Sequence, residues 1–230
     1  MKTASDIIQL RQVLAERFPN VCTWKEEPHA PAHAGWPTGL ASLDAALQGG
    51  LPKGSITEVV SSKSGRGSAT LLRALLQQAH QARQPVGLID GRDGFDPEGL
   101  SQPVLHRLLW VRCQTADEAI KAADIVMRDR NLPLVALDLK MNSPGQLRKI
   151  SPTAWYRLQR LAQQGGSILM VLSPTAIVGC ADARLTLESQ FTLADLGREP
   201  ADIALHLKFE LTRWTLGGNA ALETGVAQAG

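Results

Sequence analysis

Between Ile56 and Gln84 the chain reads strand, tight loop, helix, and that order restricts it to a small set of α/β folds. Ile56 to Val60 is an apolar run suited to a buried strand. Ala69 to Gln84 places Leu71, Leu72, Leu75, Leu76 and Ala79 on one face at helical spacing. The intervening residues, Ser61 to Ser68 (SSKSGRGS), have the length of a phosphate-binding loop of the G-x-x-x-x-G-K-[ST] type. Such a loop needs glycines so that backbone N–H groups can turn onto phosphate oxygens, a lysine for the β and γ charges, and a hydroxyl for magnesium. Here Ser61 stands at the first glycine, Arg66 at the second and Gly67 at the lysine, and only Ser68 keeps the pattern. Lys63, Ser64 and Gly65 fill the variable positions, and Lys63 and Arg66 supply some positive charge. An arginine at a glycine position also blocks the backbone's approach to phosphate.

Beyond the loop helix the chain alternates strands and helices, the pattern of a parallel sheet covered on both faces. Strands are expected at Val86 to Asp90, Leu108 to Val111, Leu134 to Leu139 and Ser167 to Leu172. Thr115 and Glu118 form a capping box for a helix to about Arg130, with Ala116, Ile120, Ala123 and Met127 inward. Ser151 and Pro152 open another, running to Gln164, with Trp155, Leu158 and Leu161 inward. From Ala183 the pattern changes to alternation, ARLTLE and then IALHLKFEL, which predicts antiparallel strands at the sheet's C-terminal edge. The edge strand is expected over Ile203 to Leu211, with His206, Lys208 and Glu210 outward.

A chain of 230 residues with 44% apolar content can bury one sizeable core. The division expected is an N-terminal helix and linker over 1–35, an α/β core over 36–216 and a loose tail over 217–230. The first helix, Ser5 to Phe18, carries Ile7, Leu10, Leu14 and Phe18 on one face and serves either to cover the core or to dock a partner. A net charge of +2 excludes a global polybasic field, although residues 61–150 hold 13 Lys and Arg against 9 Asp and Glu. Cys22, Cys113 and Cys180 are far apart and without a C-x-x-C, so free thiols in a reducing cytoplasm are expected rather than a metal site. His29 and His33 lack a third ligand and read as solvated. No run is long enough for a signal peptide or membrane span, and a cytoplasmic location is expected.

Three segments together resemble the RecA family of recombinases, over about Trp36 to Leu187. They are TG-x-x-SLD-x-AL-x-GGLP-x-G-x-I-x-E at Thr38 to Glu58, LIDGRDGFDP at Leu88 to Pro97, and VALD at Val135 to Asp138. The short chain, the eroded loop and the missing large C-terminal domain make the resemblance closer to the ImuA type, the RecA-like accessory protein of translesion mutagenesis. The resemblance implies a RecA-like core, and it makes Asp138 the residual magnesium-holding aspartate. Read from the residues alone, Asp138 is equally a solvated strand-end carboxylate or a loop cap. Arg92 falls where the family has its water-activating glutamate, with Asp93 one residue out of place, and Ser173 and Pro174 replace the phosphate-sensing asparagine and glutamine.

Each lost charge-assisted contact to phosphate removes about 1.5–3 kcal/mol, and loss of the base costs about 10² to 10⁴ in rate. A pseudo-ATPase without catalytic residues, cofactor or metal is therefore expected. The family grips single-stranded DNA with two loops. The first has a counterpart in KMNSPGQLRKISP, a segment expected to be flexible, with Lys140, Arg148 and Lys149 as candidate contacts; the second is nearly absent. With no aromatic residue among these basic ones, at most weak, salt-sensitive DNA binding is expected, and a merely solvated turn is the competing reading. The ImuA resemblance implies an adaptor that binds RecA and an error-prone polymerase complex in the SOS response to DNA damage. Two alternatives remain: a RecA-type ATPase that uses ATP and magnesium through an unusual loop, and a SulA-like cell-division inhibitor. Homo-oligomerisation through the first helix or the edge strand is also left open.

Overall fold

Residues 134–138 and 168–173 are apolar at nearly every position because their two strands lie in the middle of a sheet with both faces covered. The computed structural model describes residues 35–62, 67–189, 191, 195, 197–198 and 200–216. The expected N-terminal helix, the linker histidines, Cys22, loop residues 63–66 and the tail from Gly217 lie outside the described residues. All described residues belong to a unit that begins at His33.

In chain order the elements are α1 (Ala41–Ala46), β1 (Ile56–Val60), α2 (Ser68–Gln81), β2 (Val86–Asp90), α3 (Gln102–Leu105), β3 (Leu108–Arg112), α4 (Ala116–Asp129) and β4 (Leu134–Asp138). Then follow α5 (Pro144–Leu147), α6 (Pro152–Gly165), β5 (Ile168–Ser173), β6 (Ala183–Leu187), α7 (Pro200–Leu205) and β7 (Phe209–Trp214). The strands form one sheet in the order β3-β2-β4-β5-β1-β6-β7. All neighbours are parallel except β6 and β7.

Alternation along each strand divides the core. On one face Ala136, Met170 and Val59 pack with Leu71 and Leu75 of α2. On the other, Val135, Leu137, Leu169 and Val171 pack with Ala123 of α4 and Leu158 of α6. The helices end as their sequences direct. Thr115 Oγ1 accepts from the Glu118 N–H at 3.3 Å, and Glu118 Oε2 accepts from the Gln114 N–H at 2.8 Å. Ser151 caps α6 ahead of Pro152, and Gly166, at φ 67°, closes it in the left-handed conformation.

Two expectations are corrected. The segment Ile203 to Leu211 is not a strand: it begins inside α7, and the edge strand is displaced to Phe209–Trp214. Ile203, Leu205 and Leu207 mimic a two-residue period, but the inward pair is Ala204 and Leu207, three apart, while Leu205 is 68% exposed. Nor is the segment after β4 without structure. Asn142 is buried and donates to the Gly91 carbonyl (2.8 Å) and Gln146 Oε1 (2.9 Å), and Ser143 caps the short α5. Among the described residues no helix is long and apolar enough to cross a membrane.

Candidate functional site

Because β1, β2, β4 and β5 run parallel and in register, their last residues share one edge of the sheet. Val60 is opposite Ser173, Asp90 is opposite Asp138, and Asp138 is opposite Leu172. In open α/β sheets this C-terminal edge is where ligands bind. The candidate residues Ser61, Gly67, Ser68, Asp138 and Ser173 all stand at this edge; Lys63, Ser64, Gly65 and Arg66 lie outside the described residues.

Ser61 is buried, and its N–H donates to the Ser173 carbonyl at 2.9 Å. Gly67, at the position a phosphate loop gives to lysine, is left-handed at φ 94° and precedes α2 without a side-chain cap. A Cβ there would run into Leu207 Cδ2 and lie 2.9 Å from Phe191 Cε2. Leu207 is brought to Gly67 by the connection between β6 and β7, which passes through α7. Its carbonyl also accepts from the Ser42 hydroxyl at 3.1 Å, fixing this connection to α1.

Ser68, the hydroxyl position, is engaged from the far side of the edge. Its Oγ accepts a hydrogen bond from Lys140 Nζ at 2.7 Å. Lys140 N–H in turn donates to Asp138 Oδ1 at 2.9 Å. Burial pushes the Asp138 carboxyl above its ordinary range, opposed by the Lys140 N–H and the Lys140 charge and reinforced by Asp90. Burial pushes Lys140 below its ordinary range, opposed by Asp138. Lys140 is therefore turned inward, apart from Arg148 and Lys149, which are exposed after α5.

The two residues near the expected general-base position are committed elsewhere. Arg92 Nη1 donates to the Gln114 carbonyl at 2.8 Å. Asp93 takes both Arg112 Nε (2.5 Å) and Nη2 (2.7 Å), which hold its carboxyl below the usual range. The same guanidinium lies 5.1 Å from the centre of the Trp110 ring. Asp90, buried at the end of β2, accepts from the N–H groups of Arg92, Gly94 and Phe95 and so shapes the loop.

Ser173, at the phosphate-sensing position, donates its hydroxyl to Glu58 Oε1 at 3.2 Å. Glu58 is fully buried and also accepts from the N–H groups of Ile177 (2.7 Å) and Val178 (3.2 Å) and from Arg184 Nε (2.6 Å). Sequence reasoning used Glu58 only as a marker and missed Arg184. The available signal was a charged residue inside the apolar run ITEVV, because a carboxylate buried in a central strand requires a cationic partner.

The magnesium nucleotide implied by a RecA resemblance does not fit the described residues. At the lysine position a Cβ would meet the side-chain ends of Leu207 and Phe191, and the hydroxyl position accepts a hydrogen bond from the Lys140 ammonium. Among the described residues no group of three or more His, Cys, Asp or Glu is placed to hold a metal. Cys113 and Cys180 are buried free thiols.

No protein-family model matches the chain. It is 33% identical over 105 residues to the RecA protein of Clavibacter michiganensis, a match covering 44% of this chain and 29% of that one. The RecA proteins of Gloeothece citriformis, at 30% over 105 residues, and Streptomyces avermitilis, at 30% over 116, cover 29% and 30% of their lengths. The chain thus aligns with less than a third of each of these relatives. The crystal structure of the RadB recombinase superposes with a TM-score of 0.55 at 18% identity, covering 68% of this chain and 84% of that one. The chain is thus similar in sequence to part of RecA, and its seven-stranded sheet shares the RecA-like fold of the RadB recombinase.

Proposed function

We propose that this protein is a non-catalytic RecA-like adaptor of the ImuA type, a pseudo-ATPase that joins RecA to an error-prone polymerase complex in damage-induced translesion synthesis. The observation carrying this reading is the cover over Gly67: Leu207 and Phe191 occupy the space where a catalytic lysine would leave the loop. Support also comes from the engagement of Arg92, Asp93 and Ser173 with other protein groups, which leaves the expected base and sensor positions without their chemistry. A fold kept intact around such an edge still offers its surfaces to other proteins. DNA contributes little on this reading, because Lys140 is turned to Ser68 and only Arg148 and Lys149 remain exposed on that loop.

Pull-downs with RecA filaments assembled on single-stranded DNA and with purified error-prone polymerase subunits test the adaptor role. Retention of both supports it. Failure to retain either one, with binding to the tubulin-like division protein instead, would transfer the function to cell-division control.

A further inference from the structure

We propose that the ammonium group of Lys140 is a built-in substitute for the divalent cation of a phosphate-loop site, holding the loop helix to the end of β4 without any metal. A loop of this layout places its Ser or Thr hydroxyl on magnesium. In this chain that hydroxyl, Ser68 Oγ, instead meets Lys140 Nζ at 2.7 Å across 72 residues of sequence. On the other side, the carboxylate that the fold provides, Asp138, is bound to the backbone N–H of the same lysine at 2.9 Å. One residue therefore reaches both groups, the hydroxyl through its ammonium and the carboxylate through its backbone N–H.

Among the described residues, Lys140 is the cation in contact with Ser68. Asp90, opposite Asp138 in the sheet, has its carboxylate met by three backbone N–H groups. Arg92, after β2, and Arg112, at the end of β3, are bound to the Gln114 carbonyl and to Asp93. Magnesium binds oxygen at about 2.0–2.1 Å and keeps near-octahedral geometry, so it cannot share the Ser68 oxygen with an ammonium in hydrogen-bond contact.

This inference involves no partner and stands apart from the adaptor reading. Thermal unfolding of the full chain, with chelator and with millimolar Mg²⁺ or Mn²⁺, tests it alongside Mn²⁺ binding followed by electron paramagnetic resonance. The wild type should melt at the same temperature in both conditions and bind no Mn²⁺. Lys140→Ala should melt lower by roughly 2–4 °C, the shift typical of a lost contact of this size in a domain of this length. Mn²⁺ should then bind to this variant and recover part of the loss, and adding Asp138→Asn should abolish both effects. Lys140→Met, which keeps the aliphatic stem, serves if the alanine variant does not fold. A wild type stabilised by Mg²⁺ would overturn the inference, and so would a Lys140 variant that melts lower without gaining Mn²⁺, since that describes an ordinary structural lysine.

Discussion

Arg184 Nε donates to Glu58 Oε2 at 2.6 Å, and the Glu58 side chain of this pair is wholly buried in the central strand β1. The other oxygen of the carboxylate receives the Ser173 hydroxyl and the N–H groups of Ile177 and Val178, while Arg184 Nη2 donates to the Val178 carbonyl at 2.7 Å. The pair thus fixes the chain between β5 and β6 beneath the candidate site. Removing one member leaves the other charge buried, which costs about 3–5 kcal/mol. Arg184→Met is expected to lose stability of this order in urea denaturation, and Glu58→Gln in the same chain is expected to restore part of it.

Asp124 clamps α4 to α6. Its carboxylate accepts from Arg128 Nε at 2.8 Å and from Arg157 Nε at 2.7 Å. The Arg128 hydrogen bond is the main cause holding its pKa below the ordinary value, with burial opposing it and the Arg157 charge reinforcing it. A depressed folded-state pKa contributes stability above the unfolded value and loses it as pH falls through the folded one. Asp124→Asn should therefore cost up to about 1 kcal/mol near neutral pH, since both arginines are exposed. The difference from wild type should shrink below about pH 4. Urea titrations over this range measure it.

Gly67→Lys restores the residue that the phosphate-loop pattern calls for, yet it is expected to restore no hydrolysis. The substitution places a side chain at φ 94° and against Leu207 and Phe191. The left-handed conformation alone costs about 1–2 kcal/mol for a residue with a Cβ. A lowered melting temperature with no phosphate release is the expected result; turnover at or above that of a working ATPase would refute the occlusion.

The motif at Thr38 to Asp44 is structural in this chain. Asp44 Oδ1 accepts from both the N–H (2.9 Å) and the hydroxyl (2.7 Å) of Thr38, which is fully buried. Asp44→Ala leaves the Thr38 N–H without its acceptor and the hydroxyl with only the longer contact to the Leu40 carbonyl (3.4 Å), and should destabilise by about 1.5–3 kcal/mol, the range for hydrogen bonds to a charged group. Thermal denaturation reads the loss.

The elements legible in the sequence are those whose signal is local. The apolar face of α2 is buried residue for residue as its spacing predicts, and the Thr115 and Ser151 caps start α4 and α6 where expected. The failures depend on contacts distant in the chain. Lys140 reads from the sequence as a candidate DNA contact beside Arg148 and Lys149, and nothing near it in sequence reveals that Ser68 lies within reach. The connection through α7 looked like a strand because Ile203, Leu205 and Leu207 alternate, whereas its burial is decided by packing of Leu207 over Gly67. The loop after β4 reads as flexible in the sequence, and the buried Asn142 amide that holds it has its partner at Gly91.

The central claim is that this edge of the sheet no longer accepts a magnesium nucleotide. Isothermal titration of the protein with ATP and magnesium, beside a phosphate-release assay, tests it most directly. The account predicts neither binding heat nor turnover. Saturable micromolar binding that disappears in Asp138→Ala would contradict it, because it would mean that the loop still cradles phosphate and that Lys140 gives way to metal.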